Sequence, residues 1–157
     1  MKRKINFIVI HCSAGFGDLA SIKKFWKDTL KWKTGGYHRW VDLDGSVTDL
    51  YDLDVITNGV KGFNNHSVHI SYRGGVDKNN VNKSLDTRTE AQKESILQTI
   101  KDVLEDLKKY QSINHIKILG HRDFSKDQNG NGVVDSWERI KECPSYEVKD
   151  QYQWLLK

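Results

Sequence analysis

Unbroken apolar runs alternate along this chain with segments of helical period. "INFIVI", Ile5 to Ile10, is continuous and β-branched, the pattern of a central strand covered on both faces. From Asp18 to Trp32, Leu19, Ile22, Phe25, Trp26 and Leu30 recur at helical spacing, with Asp18 or Ser21 as the N-cap. "YHRWVDLDGSVTDLYDL" predicts a hairpin turning at Asp44-Gly45, and "SVHISYRGG" a further strand ended by paired glycines. Residues 76–86, "VDKNNVNKSLD", are polar and read as a surface loop. Thr87-x-x-Glu90 forms a capping box, and the helix it opens carries Ile96, Ile100, Val103, Leu107 and Tyr110 as one apolar stripe. "HIKIL", His115 to Leu119, is the last short strand. No repeat or linker interrupts the order β-α-β-β-β-α-β. It predicts a single α/β domain over residues 1–157, a mixed central β-sheet flanked by helices.

Composition agrees with a packed core. Of 157 residues, 37% are hydrophobic and 29% charged, which excludes a disordered chain. The net charge of +4 is spread out, and no Lys/Arg block is dense enough to predict a nucleic-acid partner. "MKRKINFIVIHCSA" imitates a secretory signal, but its apolar run falls short of the ~7–15 residues such a signal needs, so it reads as a strand. No segment approaches transmembrane length, so no membrane insertion is expected. The two cysteines, Cys12 and Cys143, cannot build a disulfide framework; they leave either one bridge or a thiolate with a chemical role.

Two histidines stand at strand ends. "FIVI" runs directly into His11 and "IKIL" into Gly120-His121. Sheets of this class present ligands at their carboxyl edge, so parallel neighbours would bring both imidazoles together. With Cys143 they make three ligands and leave a fourth tetrahedral position, the arrangement of a catalytic zinc site. Zinc in such a site lowers the pKa of its water toward ~7. Cys12 follows His11 directly, so its side chain is expected on the other face, as a small buried apolar group.

Five motifs in order, "IVIHCSA", "GGYH", "NNHSVHISYRGG", "ILGHRD" and "KECPSYEV", span nearly the whole chain. Together they resemble the type-2 N-acetylmuramoyl-L-alanine amidases, the group that includes phage lysozyme-type amidases and peptidoglycan recognition proteins. The resemblance implies zinc on His11, His121 and Cys143, and peptidoglycan (glycan strand and stem peptide) as the partner. It implies hydrolysis of the amide between the muramic acid lactyl group and L-alanine; the alternative is a non-catalytic muropeptide-binding module of the same fold. It places Tyr37 near the metal's water, Lys141 at the scissile carbonyl and His66 on the cleft. His69 stands where relatives usually carry glycine, and is expected to narrow the groove or touch substrate. His38 and His115 read as ordinary strand residues. Without a signal, action at the wall implies release or export by another route.

"DQNGNGVVDSWE" fits the calcium-loop pattern D-x-[DN]-x-[DN]-G-x5-E. Asp127, Asn129, Asn131, the Val133 carbonyl, Asp135 and Glu138 are its candidate ligands, making calcium a second expected ion beside zinc. Pro144 follows Cys143 directly and is expected to stop a short helix there and set the direction of the thiolate.

Overall fold

The computed structural model describes residues 2–125 and 142–156. Along them run β1 (Phe7–Cys12), α1 (Leu19–Lys24), β2 (Arg39–Val41), β3 (Val47–Asp49), β4 (Ser67–Tyr72), β5 (Val76–Asp77), β6 (Asn80–Ser84), α2 (Glu90–Lys108) and β7 (Lys117–Gly120). Five strands form one sheet in the order β3-β2-β4-β1-β7. β1 lies parallel between β4 and β7, β2 is parallel to β4, and β3 closes the edge antiparallel. The predicted mixed α/β sheet is what forms.

Period-2 alternation sorts the two central strands into faces. Ile8, Ile10 and Cys12 register with Val68, Ile70 and Tyr72, and these six pack with Ile118 on the α2 stripe of Ile96, Ile100, Val103, Leu104 and Leu107. Tyr146, Val148 and Tyr152 of the C-terminal segment join the same core. On the opposite face, Phe7, Val9 and His11 register with Ser67, His69 and Ser71, all three buried although polar. Phe7 anchors that side through edge contacts with Phe63 and Phe124, at ring separations of 6.0 and 5.3 Å.

Several elements differ from expectation for local reasons. β1 continues through His11 and Cys12, because both still pair with β4. The helix expected over Asp18–Trp32 keeps its Asp18 cap (Ser21 N to Oδ1, 2.9 Å) but ends as α1 at Lys24 and widens into a π-helical turn over Phe25–Thr29. Of the predicted stripe only Trp26 is buried, lying against Gly35 and Gly36; a Cβ on Gly35 would sit 2.5 Å from its ring. The turn at Gly45 forms with φ +85°, the left-handed conformation glycine allows, though β2 and β3 are only three residues each. The loop expected over 76–86 contains the hairpin β5–β6, separate from the main sheet, with Val76 of β5 buried and all of β6 exposed. The capping box lies two residues later than predicted, Thr89 with Gln92, because the Thr87 hydroxyl instead accepts the Gly75 N–H at 2.8 Å. β7 begins at Lys117, leaving His115 before it, its Nε2 3.2 Å from the Ile5 carbonyl.

Ile100 is fully buried between α2 and the sheet. Ile100→Ala should cost about 2–5 kcal/mol in urea unfolding, whereas Leu85→Ala, at a side chain 45% exposed, should change stability by less than about 0.5 kcal/mol.

Candidate metal centre

The β1–β7 register pairs Ile10 with Gly120, so the next residue of each chain segment, His11 and His121, stands side by side. Their ring centroids are 4.9 Å apart. Cys143 reaches the same point from the C-terminal segment, held there mostly by backbone contacts. Its carbonyl accepts the Arg122 N–H at 2.8 Å, and the Pro144 carbonyl accepts the buried Tyr72 hydroxyl at 2.6 Å. Ser145 donates to the Gly75 carbonyl at 2.6 Å. Gly120 is required at the strand end, since a Cβ there would come within 2.7 Å of Pro144 Cδ.

The ligand atoms of His11, His121 and Cys143 lie within 4.8 Å of one another, and His11 Nδ1 is 3.8 Å from Cys143 Sγ. A tetrahedral zinc with Zn–N ~2.05 Å and Zn–S ~2.3 Å sets N···S at about 3.6 Å. The His11–Cys143 pair therefore already stands near the spacing the ion needs, and His121 lies within 4.8 Å of both. Cys12 and Cys143 are not joined by a disulfide, and the Cys12 side chain points into the α2 core as expected. Its backbone does serve the site: Cys12 N–H donates to Cys143 Sγ at 3.1 Å, and the Cys12 carbonyl lies 3.6 Å from the same sulfur.

Tyr37 flanks the cluster, its ring 5.1 Å from that of His11 and braced by Trp26 and Trp40 at 5.4 and 6.5 Å. Burial, and then the nearby Cys143 charge, push its phenol far above the ordinary tyrosine range. Its hydroxyl, 3.5 Å from the Cys12 carbonyl, therefore remains a proton donor. His69 lies beneath His11, fully buried, with Nδ1 2.9 Å from His11 Nε2 and Nε2 2.9 Å from Asn64 Oδ1. Burial holds its pKa well below the usual histidine value. His38, also fully buried, accepts the His69 backbone N–H on Nδ1 (3.0 Å) and presents Nε2 to the Val55 carbonyl (2.7 Å). Burial lowers its pKa from 6.5 to about 4.

Two expected substrate contacts are corrected. His69 is at the cleft border in sequence only: both ring nitrogens are engaged inside the protein, and it neither narrows a groove nor presents an atom to one. His66 sits at the opposite end of the sheet, where its carbonyl accepts Asn6 N–H at 2.8 Å and its Nδ1 meets the Lys4 carbonyl at 2.9 Å. Five residues of parallel strand separate that level from His11, roughly 16 Å at ~3.3 Å per residue. Lys141 and the calcium candidates Asp127, Asn129, Asn131, Val133, Asp135 and Glu138 lie outside the described residues, as does the helix expected before Pro144. The roles of Asn64 and His38 were not read from the sequence. The strict alternation in "SVHISY" was the available signal, since it puts Ser67, His69 and Ser71 on one face.

The N-acetylmuramoyl-L-alanine amidase family model matches residues 1–145. The chain belongs to this family. An uncharacterised protein of Haemophilus influenzae is 35% identical over 115 residues, covering 72% of this chain and 88% of that protein. The endolysin of Klebsiella phage KP32 is 26% identical over 152 residues, covering 94% and 85% respectively. Among solved structures, the ectodomain complex of peptidoglycan recognition proteins LCa and LCx with bound tracheal cytotoxin matches in fold, with TM-score 0.68 and 22% identity over 95% of this chain and 81% of that one. Among the described residues, no helix of this amidase-family chain is long and apolar enough to cross a membrane.

Because His38 is buried neutral, its depressed pKa contributes stability above about pH 6.5 that is lost as pH falls toward about 4. Urea unfolding should show a loss on the order of 3 kcal/mol from this group between pH 7 and pH 4. Cys143→Ala should leave the fold intact by circular dichroism and weaken zinc retention at least ~100-fold in chelator competition, since it removes one of three ligands.

Proposed function

We propose that this chain is a zinc-dependent hydrolase that cleaves the amide joining the lactyl group of N-acetylmuramic acid to the L-alanine of the peptidoglycan stem peptide. The observation that carries the proposal is the convergence of His11, His121 and Cys143 within 4.8 Å at the carboxyl edge of the sheet. Family membership and the endolysin relative support peptidoglycan as the substrate and the cell wall as the place of action.

Bound there, zinc would supply a Lewis acid that polarises the scissile carbonyl and activates water at neutral pH. The protein's own groups do the rest. Cys143 provides the one negative charge among the three ligands, and the Cys12 N–H stabilises it. Tyr37, held by Trp26 and Trp40, aims a protonated hydroxyl at the edge of the cluster, where it donates a hydrogen bond to an oxygen that gains charge. Lys141, two residues before Cys143, is assigned the same electrostatic task by its ammonium. Asp127 to Glu138 is assigned to calcium on its ligand pattern alone.

A purely muropeptide-binding role is the second reading, favoured by the fold shared with a recognition-protein complex that holds tracheal cytotoxin. It leaves the three-ligand cluster without a task. Digestion of purified sacculi by zinc-loaded protein should release intact stem peptides and free glycan, read by mass spectrometry. Binding without release would leave the binding role in place of the enzyme. Tyr37→Phe should lower kcat about 100-fold with KM nearly unchanged. After EDTA treatment, zinc alone should restore activity only in part, and full recovery without calcium would remove the second ion.

A further inference from the structure

The mechanism above uses His11 as a ligand but not the buried groups behind it. We propose that Asn64 and His69 form a proton-ordering relay that fixes the tautomer of His11, making His69 a positioning residue for the metal ligand. The proposal rests on the metal-site reading for its purpose, but its geometry stands without a metal.

The order of protons follows from one backbone amide. Val60 N–H can only donate, and it meets the Asn64 side chain at 2.8 Å, so the atom there is the amide oxygen. That same oxygen lies 2.9 Å from His69 Nε2 and can only accept, so His69 carries its proton on Nε2. Neutral His69 then has its lone pair on Nδ1, which faces His11 Nε2 at 2.9 Å. His11 must therefore be protonated on Nε2, and its lone pair is left on Nδ1. Nδ1 is the atom 3.8 Å from Cys143 Sγ, on the side where the three ligands converge. A ring nitrogen binds metal only when unprotonated, so the relay prepares His11 for coordination before any ion arrives. The reverse tautomer of His69 would set two lone pairs against each other at Asn64.

The surroundings leave the His69 ring little freedom. Its backbone is pinned on both sides to His38, the residue before β2, through His38 N–H to the His69 carbonyl at 2.8 Å and the His69 N–H to His38 Nδ1 at 3.0 Å. The two rings stack with centroids 6.0 Å apart and planes 16° from parallel. Gly59 makes the space: a Cβ on it would fall 2.3 Å from His69 Nδ1 and 2.4 Å from Cγ. Metal-bound histidines usually donate to a carboxylate or carbonyl. Here the acceptor is a neutral imidazole, which orients the ligand and adds no negative charge to the site.

The test combines the tautomer of His11 in metal-free protein, read from long-range 15N–1H correlation spectra, with zinc affinity by chelator competition. Wild-type protein should show His11 protonated on Nε2. His69→Phe and Asn64→Ala should both mix the His11 tautomers and weaken zinc binding about 10–100-fold. Asn64→Ala changes a half-buried position and keeps the ring in place, so it decides the matter should His69→Phe misfold. His69→Asn, whose side-chain oxygen can take the place of Nδ1 as acceptor, should recover most of the affinity. A wild-type His11 protonated on Nδ1, or wild-type zinc affinity in Asn64→Ala, would overturn the relay. Failure of wild-type protein to bind zinc would instead defeat the metal-site reading, and the metal-free tautomer would still decide the relay.

Discussion

Parallel pairing of β1 with β7 on one side and β4 on the other is the constraint on which the site depends. Pairing Ile10 with Gly120 brings two histidines, far apart in sequence, to neighbouring positions. Pairing Val9 with His69 puts a third imidazole diagonally behind the first, on the same face. A slip of one residue in either ladder would turn His11 toward α2 and place Cys12 on the face where the donors converge. What prevents the slip is the apolar face: Ile8, Ile10, Val68, Ile70 and Ile118 are each completely buried against the long helix. The stability of the core and the geometry of the three-donor cluster are thus two consequences of one register.

The second requirement falls on the face that carries the chemistry. Ser67, His69, His38 and Thr57 are buried without exposure, and such groups are costly unless hydrogen-bonded. Each finds partners nearby. Ser67 donates to the Phe63 carbonyl at 2.6 Å, Thr57 to the Gly36 carbonyl at 3.1 Å, and the two histidines brace one another through main-chain and side-chain contacts. Held at both ring nitrogens, the His69 ring beneath His11 has little rotational freedom. Cys143, in contrast, arrives on an irregular segment, placed by the Arg122 N–H on its own carbonyl, the Tyr72 hydroxyl on the Pro144 carbonyl and the Ser145 hydroxyl on the Gly75 carbonyl.

Membership of the amidase family and a three-donor cluster point in the same direction, but they do so independently. The family match concerns the order of residues along the chain. The cluster concerns distances that no motif specifies. Tyr37 joins the two, because its place beside His11 is held by Trp26 and Trp40, which lie outside the quoted motifs.

The sequence by itself determined the alternation of strands and helices, the pair of strand-end histidines, the late cysteine and the side to which Cys12 points. These are local properties, carried by hydrophobic period and nearest-neighbour spacing. It misplaced one capping box and the end of the first helix, because several local patterns there compete and only packing chooses among them. Only the tertiary structure separated the histidines by task. His66 and His69 are three residues apart on one segment, yet one is exposed at the far end of the sheet and the other is sealed beneath His11. That distinction depends on which strand lies alongside and whether Gly59 leaves room, and long-range contacts of this kind have no signature in a local pattern.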